Sequence, residues 1–171
     1  MKNLSCHSSG RRFTPLIKSK KRPDIEIYGG ETYDLFLSGP WEQYSTEPYK
    51  TLIKKAFPEL NIFDPETRPS QKDGTWFEDN YRAIRNSRRM VCYVCPNPFP
   101  GNALEVGMFY EYNRAKGLYT PDKLIIIWND DIKPQWGMEV ISRCPSSIFR
   151  TTKGAISFFN ASTSVILSQF I

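Results

Sequence analysis

From about residue 24 the chain alternates short apolar stretches with segments whose apolar positions return at helical spacing. Ile25-Glu26-Ile27-Tyr28 and Leu35-Phe36-Leu37-Ser38 read as strands flanking Gly29-Gly30, the first of them an edge strand. Gly39-Pro40-Trp41 interrupts the pattern, and Pro48 to Phe57 then reads as a helix with Leu52, Ile53, Ala56 and Phe57 inward. A short strand, Asn61–Asp64, ends at Pro65, and residues 65–75 form a polar, turn-rich loop of the kind that carries function. Trp76 to Ser87 is helical, with Phe77, Tyr81 and Ile84 on its apolar stripe. Met90–Cys95 is continuously apolar, as in a strand covered on both faces. A helix over Ala103–Lys116 stops at Gly117, a residue suited to the left-handed conformation that ends helices.

Lys123–Trp128 is the clearest strand of the chain; a helix over Trp136–Arg143, a strand at Ile148–Phe149 and a helix over Thr152–Phe159 follow. The residues after Asn160 are apolar without a pattern. Strands and helices in alternation predict an α/β protein with a three-layer, open, mostly parallel sheet, flavodoxin- or Rossmann-like, with helices on both faces. The organisation is an arm over residues 1–23, one domain over residues 24–160 and an apolar tail over residues 161–171.

Charge separates the arm from the body. The chain has 23 lysines and arginines against 18 acids, a formal charge of +5. Lys2, Arg11, Arg12, Lys18, Lys20, Lys21 and Arg22 all precede the first acid, so the remainder is slightly acidic. Lys18 to Arg22 fits a nuclear-import signal, a weak nucleic-acid contact through residues 11–22, or a solvated tail. A basic, acid-free arm with serines also fits a mitochondrial presequence. No apolar run approaches the roughly 18–20 residues that span a bilayer, and the N-terminus has no apolar core of a secretory signal. Cys6, Cys92, Cys95 and Cys144 fit reduced thiols of a cytoplasmic or nuclear protein. Cys92 and Cys95 have metal-ligand spacing, but in a strand positions three apart point to opposite faces. His7, in the arm, is the single histidine, so the sequence argues against a zinc site.

The candidate chemistry gathers at Gly101-Asn102-Ala103-Leu104-Glu105-Val106-Gly107, where a buried strand passes through a loop into a helix. Ligands of open α/β sheets bind beyond the carboxyl ends of the strands. Glu105 then faces that crevice from the first helical turn, where the helix dipole keeps a carboxylate ionised, with Asn102 as the cap and Gly101 as the turn. Such a glutamate is either an ordinary helix-start residue or a nucleophile or base.

With these elements placed, the chain resembles the nucleoside 2-deoxyribosyltransferase-like family across roughly residues 33–159. Leu35-Phe36-Leu37-Ser38-Gly39-Pro40-Trp41 is similar to the family's first strand and glycine-containing loop, and Ile62-Phe63-Asp64-Pro65 to its second strand and proline turn. Trp76–Ser87 followed by Met90–Cys95 resembles the helix and strand before the catalytic loop, and residues 101–107 resemble its Glu-apolar-Gly signature. The resemblance implies cleavage or transfer at the N-glycosidic bond of a (deoxy)nucleoside or nucleoside monophosphate. Glu105 would attack C1′ to give a covalent glycosyl-enzyme, which water or a second base resolves.

The departing base needs a proton. Where the family usually has an acid, four residues before Ile84, this chain has Asn80, preceded by Asp79; Asp79 and the loop residue Asp73 are the candidate donors. Ser38 and Asn102 are candidates for sugar or phosphate contacts, Trp41, Trp76 and Phe99 for the base pocket, and Gly39, Pro40, Asp73 and Gly101 for further substrate contacts at the same edge of the sheet. Trp128 and Asn129 end the fourth strand at the same crevice or merely close a turn, and Arg85, Arg88 and Arg89 read as solvated charges. The chemistry requires no cofactor or metal. The resemblance also implies a homo-oligomer, with which the apolar end through Phe170-Ile171 is consistent. Two alternatives stay open: a glycohydrolase acting on an NAD-type nucleotide, and a catalytically inert nucleotide-binding module whose basic arm binds nucleic acid.

Overall fold

The structure, a computed structural model, describes residues 31–69, 74–95, 100–128, 141 and 143–168. The basic arm, the strand expected at Ile25–Tyr28, most of the helix expected over Trp136–Arg143, and Asp73, Phe99 and Asn129 lie outside the described residues.

Among the described residues five strands form one parallel sheet: β1 (Tyr33–Ser38), β2 (Ile62–Phe63), β3 (Ser87–Val94), β4 (Leu124–Trp128) and β5 (Ser147–Phe149). Their spatial order is β2-β1-β3-β4-β5. Among the described residues these helices cover it: α1 (Tyr49–Ala56), α2 (Trp76–Arg85), α3 (Pro100–Ala115) and α4 (Thr152–Ser168). The alternation of each strand sorts its side chains between two cores. Phe36, Met90, Cys92, Val94, Leu124 and Ile126 meet Ala83 and Ile84 of α2 and Val106 and Phe109 of α3. Leu35, Leu37, Val91, Tyr93, Ile125 and Ile127 meet Tyr49 and Ile53 of α1 and Ala155 and Phe159 of α4. The protein is therefore a three-layer α/β fold. Cys92 and Cys95 fall in opposite cores, as their spacing requires.

The topology reverses between β1 and β3. The chain steps from β1 outward to β2, then crosses back to place β3 on the other flank of β1. Connections after β1 and β3 therefore diverge and leave a crevice at the carboxyl ends of these two strands, the usual ligand position in such sheets.

Several expectations about individual elements change. Pro100 opens α3, three residues ahead of the expected start. Proline lacks only an N–H that the first turn leaves unbonded anyway, so it suits that place. Asn102 is consequently a buried residue inside the helix rather than its cap, and Glu105 sits in the second turn. On α2 the buried face is Asn80, Ala83 and Ile84, while Phe77 is exposed and stacks on Tyr81. On α1, Ala56 is exposed and Tyr49 and Lys50 are buried instead. The last helix runs on from Phe159 through Ser168 into the stretch that looked unpatterned. Of the three arginines read as solvated, Arg88 is. Arg89 is largely buried against Phe159 and pairs with Asp122, and Arg85 lies over the rings of Tyr81 and Tyr112. Gly117 does end its helix with a positive φ of 67°, its N–H donating to the Arg114 carbonyl.

Candidate active site

The crevice between β1 and β3 holds a cavity of about 460 Å³, within the range that takes a drug-sized ligand. Three connections build its wall. Gly39, Pro40, Trp41 and Tyr44 follow β1; Trp76 and Asn80 come from α2; Gly101, Asn102 and Glu105 come from the start of α3. Lys50 of α1 and Pro65 after β2 complete it.

The turn out of β1 is tightly specified. Gly39 has a φ of +145°, and a Cβ there would lie 2.5 Å from the Tyr49 hydroxyl. Only glycine meets both conditions without displacing Tyr49. That hydroxyl donates to the Pro40 carbonyl, and the Tyr49 ring stacks on Tyr93 at 4.5 Å. The connection that carries Pro40 and Trp41 is thus anchored to the second core, and Trp41 keeps nearly half its surface exposed at the cavity. Trp76 stands comparably exposed on another part of the wall.

Glu105 is held from two sides. The Ser38 hydroxyl donates to its Oε2 at 2.7 Å, and the Asn80 amide Nδ2 donates to its Oε1 at 3.0 Å. Ser38 is fully buried at the end of β1 and Asn80 almost so on α2, so both donors are fixed by the sheet and the first core. Each lies far from Glu105 in the chain, by 67 and 25 residues. The carboxyl is not kept firmly ionised, as a first-turn position would have implied. The dipole fades beyond the first turn, and burial pushes the Glu105 carboxyl up to about 7 against the pull of Ser38, Asn80 and the charge on Lys50. Glu105 therefore exchanges a proton near neutrality. Burial, with the charge of Glu105 next, also pushes the neighbouring Cys92 thiol up to about 12, which leaves it inert.

Lys50 was not expected here. Its ammonium is buried between Asp64 at 3.0 Å and Glu66 at 2.9 Å, and Lys54 also pairs with Asp64. Burial pushes the Asp64 carboxyl up, but the Lys54 and Lys50 contacts outweigh it and hold the group below the usual carboxylate range. Asp64 also accepts from the Glu66 N–H and so fixes the turn that places Pro65 on the wall. The acidic Asp64-Pro65-Glu66 closing a strand was the available signal; that Lys50 turns inward to meet it was not visible at helical spacing.

The structure thus gathers Gly39, Pro40, Trp41, Trp76, Asn80, Gly101, Asn102 and Glu105 at one cavity, with Ser38 behind Glu105. Asp79 is half-buried on α2 and lies outside the lining, because the helix turns Asn80 to the cavity instead. Trp128 packs on the first core. Among the described residues no cluster of His, Cys, Asp and Glu has the makings of a metal site, and no helix is long and apolar enough to cross a membrane. The chain matches no protein-family model and no curated protein.

Proposed function

We propose that the protein cleaves or transfers the N-glycosidic bond of a nucleoside or nucleotide, with Glu105 as the nucleophile. The observation that carries this reading is Glu105 at a topological-switch cavity, each carboxylate oxygen held by one donor, Ser38 or Asn80. Two neutral donors orient a carboxylate without balancing its charge, which leaves it able to attack an electron-poor carbon. Attack at C1′ passes through an oxocarbenium-like transition state that a nearby negative charge stabilises, and splits one displacement into two easier steps. The exposed Trp41 and Trp76 suit the flat face of a base. The transfer or hydrolysis branch depends on whether a second base or water reaches the glycosyl-enzyme.

Chromatography of free bases after incubation with nucleosides, their monophosphates and NAD tests the reading, with a free acceptor base added in one arm. Base release or exchange that falls to the no-enzyme background in Glu105→Gln is the expected result. Undiminished turnover in Glu105→Gln removes Glu105 as nucleophile, and no base released from any of these compounds sinks the enzymatic reading. The second reading, an inert nucleotide-binding module, is favoured by one observation: Asn80 stands beside Glu105 where a proton donor would be useful. Tight binding without base release is its signature.

A further inference from the structure

Asn80 and the aromatic wall bear on which base leaves, an inference that rests on Glu105 being the nucleophile. A neutral purine or pyrimidine departs from C1′ as an anion unless a proton reaches it, and a positioned acid for that purpose is worth roughly 10²–10⁴-fold in rate. The side chain beside Glu105 is an amide. Asn80 is 4% exposed, its Nδ2 is engaged with Glu105, and its Oδ1 is buried with no hydrogen-bond partner among the described residues. An amide in this place orients the carboxylate but has no proton to deliver at neutral pH.

The charges point the same way. Lys50 and Lys54 are balanced by Asp64 and Glu66, which leaves Glu105 as the acid lining the cavity among the described residues. Trp41, Tyr44 and Trp76 line the same space and are all exposed. Aromatic faces attract cations, tryptophan most strongly. A planar cation gains from both the rings and the carboxylate, whereas a neutral base gains from the rings alone. A bound cation would also favour the ionised form of Glu105 and so oppose the upward push of burial.

We propose that the substrate is the N-glycoside of a cationic heterocycle, an N-ribosylpyridinium or an N7-alkylated purine, whose base leaves neutral without a proton from the protein. The C1′–N bond breaks with its electron pair passing to the ring nitrogen and cancelling the positive charge, while a Glu105 oxygen forms the C1′–O bond. Water then attacks C1′, the C1′–O electron pair returns to the carboxylate, and the proton of water passes to solvent. Each turnover therefore liberates one proton, which hydrolysis of a neutral nucleoside to its neutral base does not.

Guanosine and 7-methylguanosine form a matched pair differing in the charge of the base. With the full chain, base release is followed by chromatography and acid by an indicator dye. A kcat/KM for 7-methylguanosine about 100-fold or more above that for guanosine is expected, and nicotinamide riboside, whose ring carries a fixed positive charge, should be cleaved with one proton released per base. In Asn80→Asp, which restores an acid beside Glu105, the ratio should narrow through faster release of guanine. Equal turnover of the pair by the wild-type protein overturns this inference while Glu105-dependent release keeps the glycosidase reading intact. A ratio unchanged in Asn80→Asp overturns the assignment to Asn80. Failure to release base from all three compounds, and from the other nucleosides and NAD as well, ends both.

Discussion

Asp64 and Glu105 are acids at the same end of the sheet, one following β2 and the other in the helix after β3, and their surroundings drive them in opposite directions. Asp64 meets two lysines and stays ionised; Glu105 meets a hydroxyl and an amide, and burial carries it up to about 7. A buried carboxylate with full counter-charges is a strut, because breaking its pairs exposes an uncompensated ion. One with neutral donors alone stays poised between two protonation states, which is the condition for chemistry. The difference lies wholly in the partners.

The strut should show the larger response in stability. Lys50→Met keeps most of the side-chain volume and removes the charge shared by Asp64 and Glu66. A loss of about 3–5 kcal/mol is expected in urea unfolding, and a loss below about 1 kcal/mol would mean that the cluster behaves as a surface pair. The poised acid comes next. Its folded-state value lies above the ordinary 4.5, at about 7, so between these values the unfolded chain gives up a proton that the folded chain keeps. Stability attributable to Glu105 therefore falls as pH rises through that window and is flat above it. Glu105→Gln removes the dependence. Its unfolding free energy should gain on wild type by something on the order of 3 kcal/mol between pH 4.5 and pH 7.5. A gap that does not change with pH would place Glu105 in an ordinary environment. Asp64 runs the other way, its contribution present at neutral pH and lost on acidification.

Ser38→Ala sharpens the comparison from within the site. Loss of one donor to the ionised form raises the Glu105 pKa further and moves the acid limb of a pH–rate profile to higher pH, with a fall in kcat of about tenfold, or ~1.4 kcal/mol. An unshifted limb would assign that limb to another group. The smallest effect belongs to Arg88, whose exposed guanidinium lies 3.5 Å from Asp34. Arg88→Ala should change stability by less than about 1 kcal/mol, and a larger change by calorimetry would show that exposed pairs in this protein act like the Lys50 cluster.

How much of this was legible follows from how far apart the interacting residues lie. Leu35–Ser38, Met90–Cys95 and Lys123–Trp128 announce themselves as strands because a run of apolar residues is a local property, and the motif placed Glu105 after a central strand for the same reason. The boundary of α3 was less legible, since Asn102 and Pro100 both carry helix-start chemistry and nothing nearby ranks them. The face of α2 was misjudged at Phe77 because the aromatic stripe Trp76, Phe77 and Tyr81 packs largely on itself while Asn80 turns inward to bond Glu105.

By itself, the sequence determined the α/β class, the approximate places of the strands, the helix end at Gly117 and the separation of Cys92 from Cys95, all consequences of backbone geometry over a few residues. The tertiary structure decided the strand order, and with it the crevice between β1 and β3. It also buried Lys50 between Asp64 and Glu66, and brought Ser38 and Asn80 to the two oxygens of Glu105. Those contacts join residues 14 to 67 positions apart, and the ionisation of a buried group is set by whatever the fold packs around it.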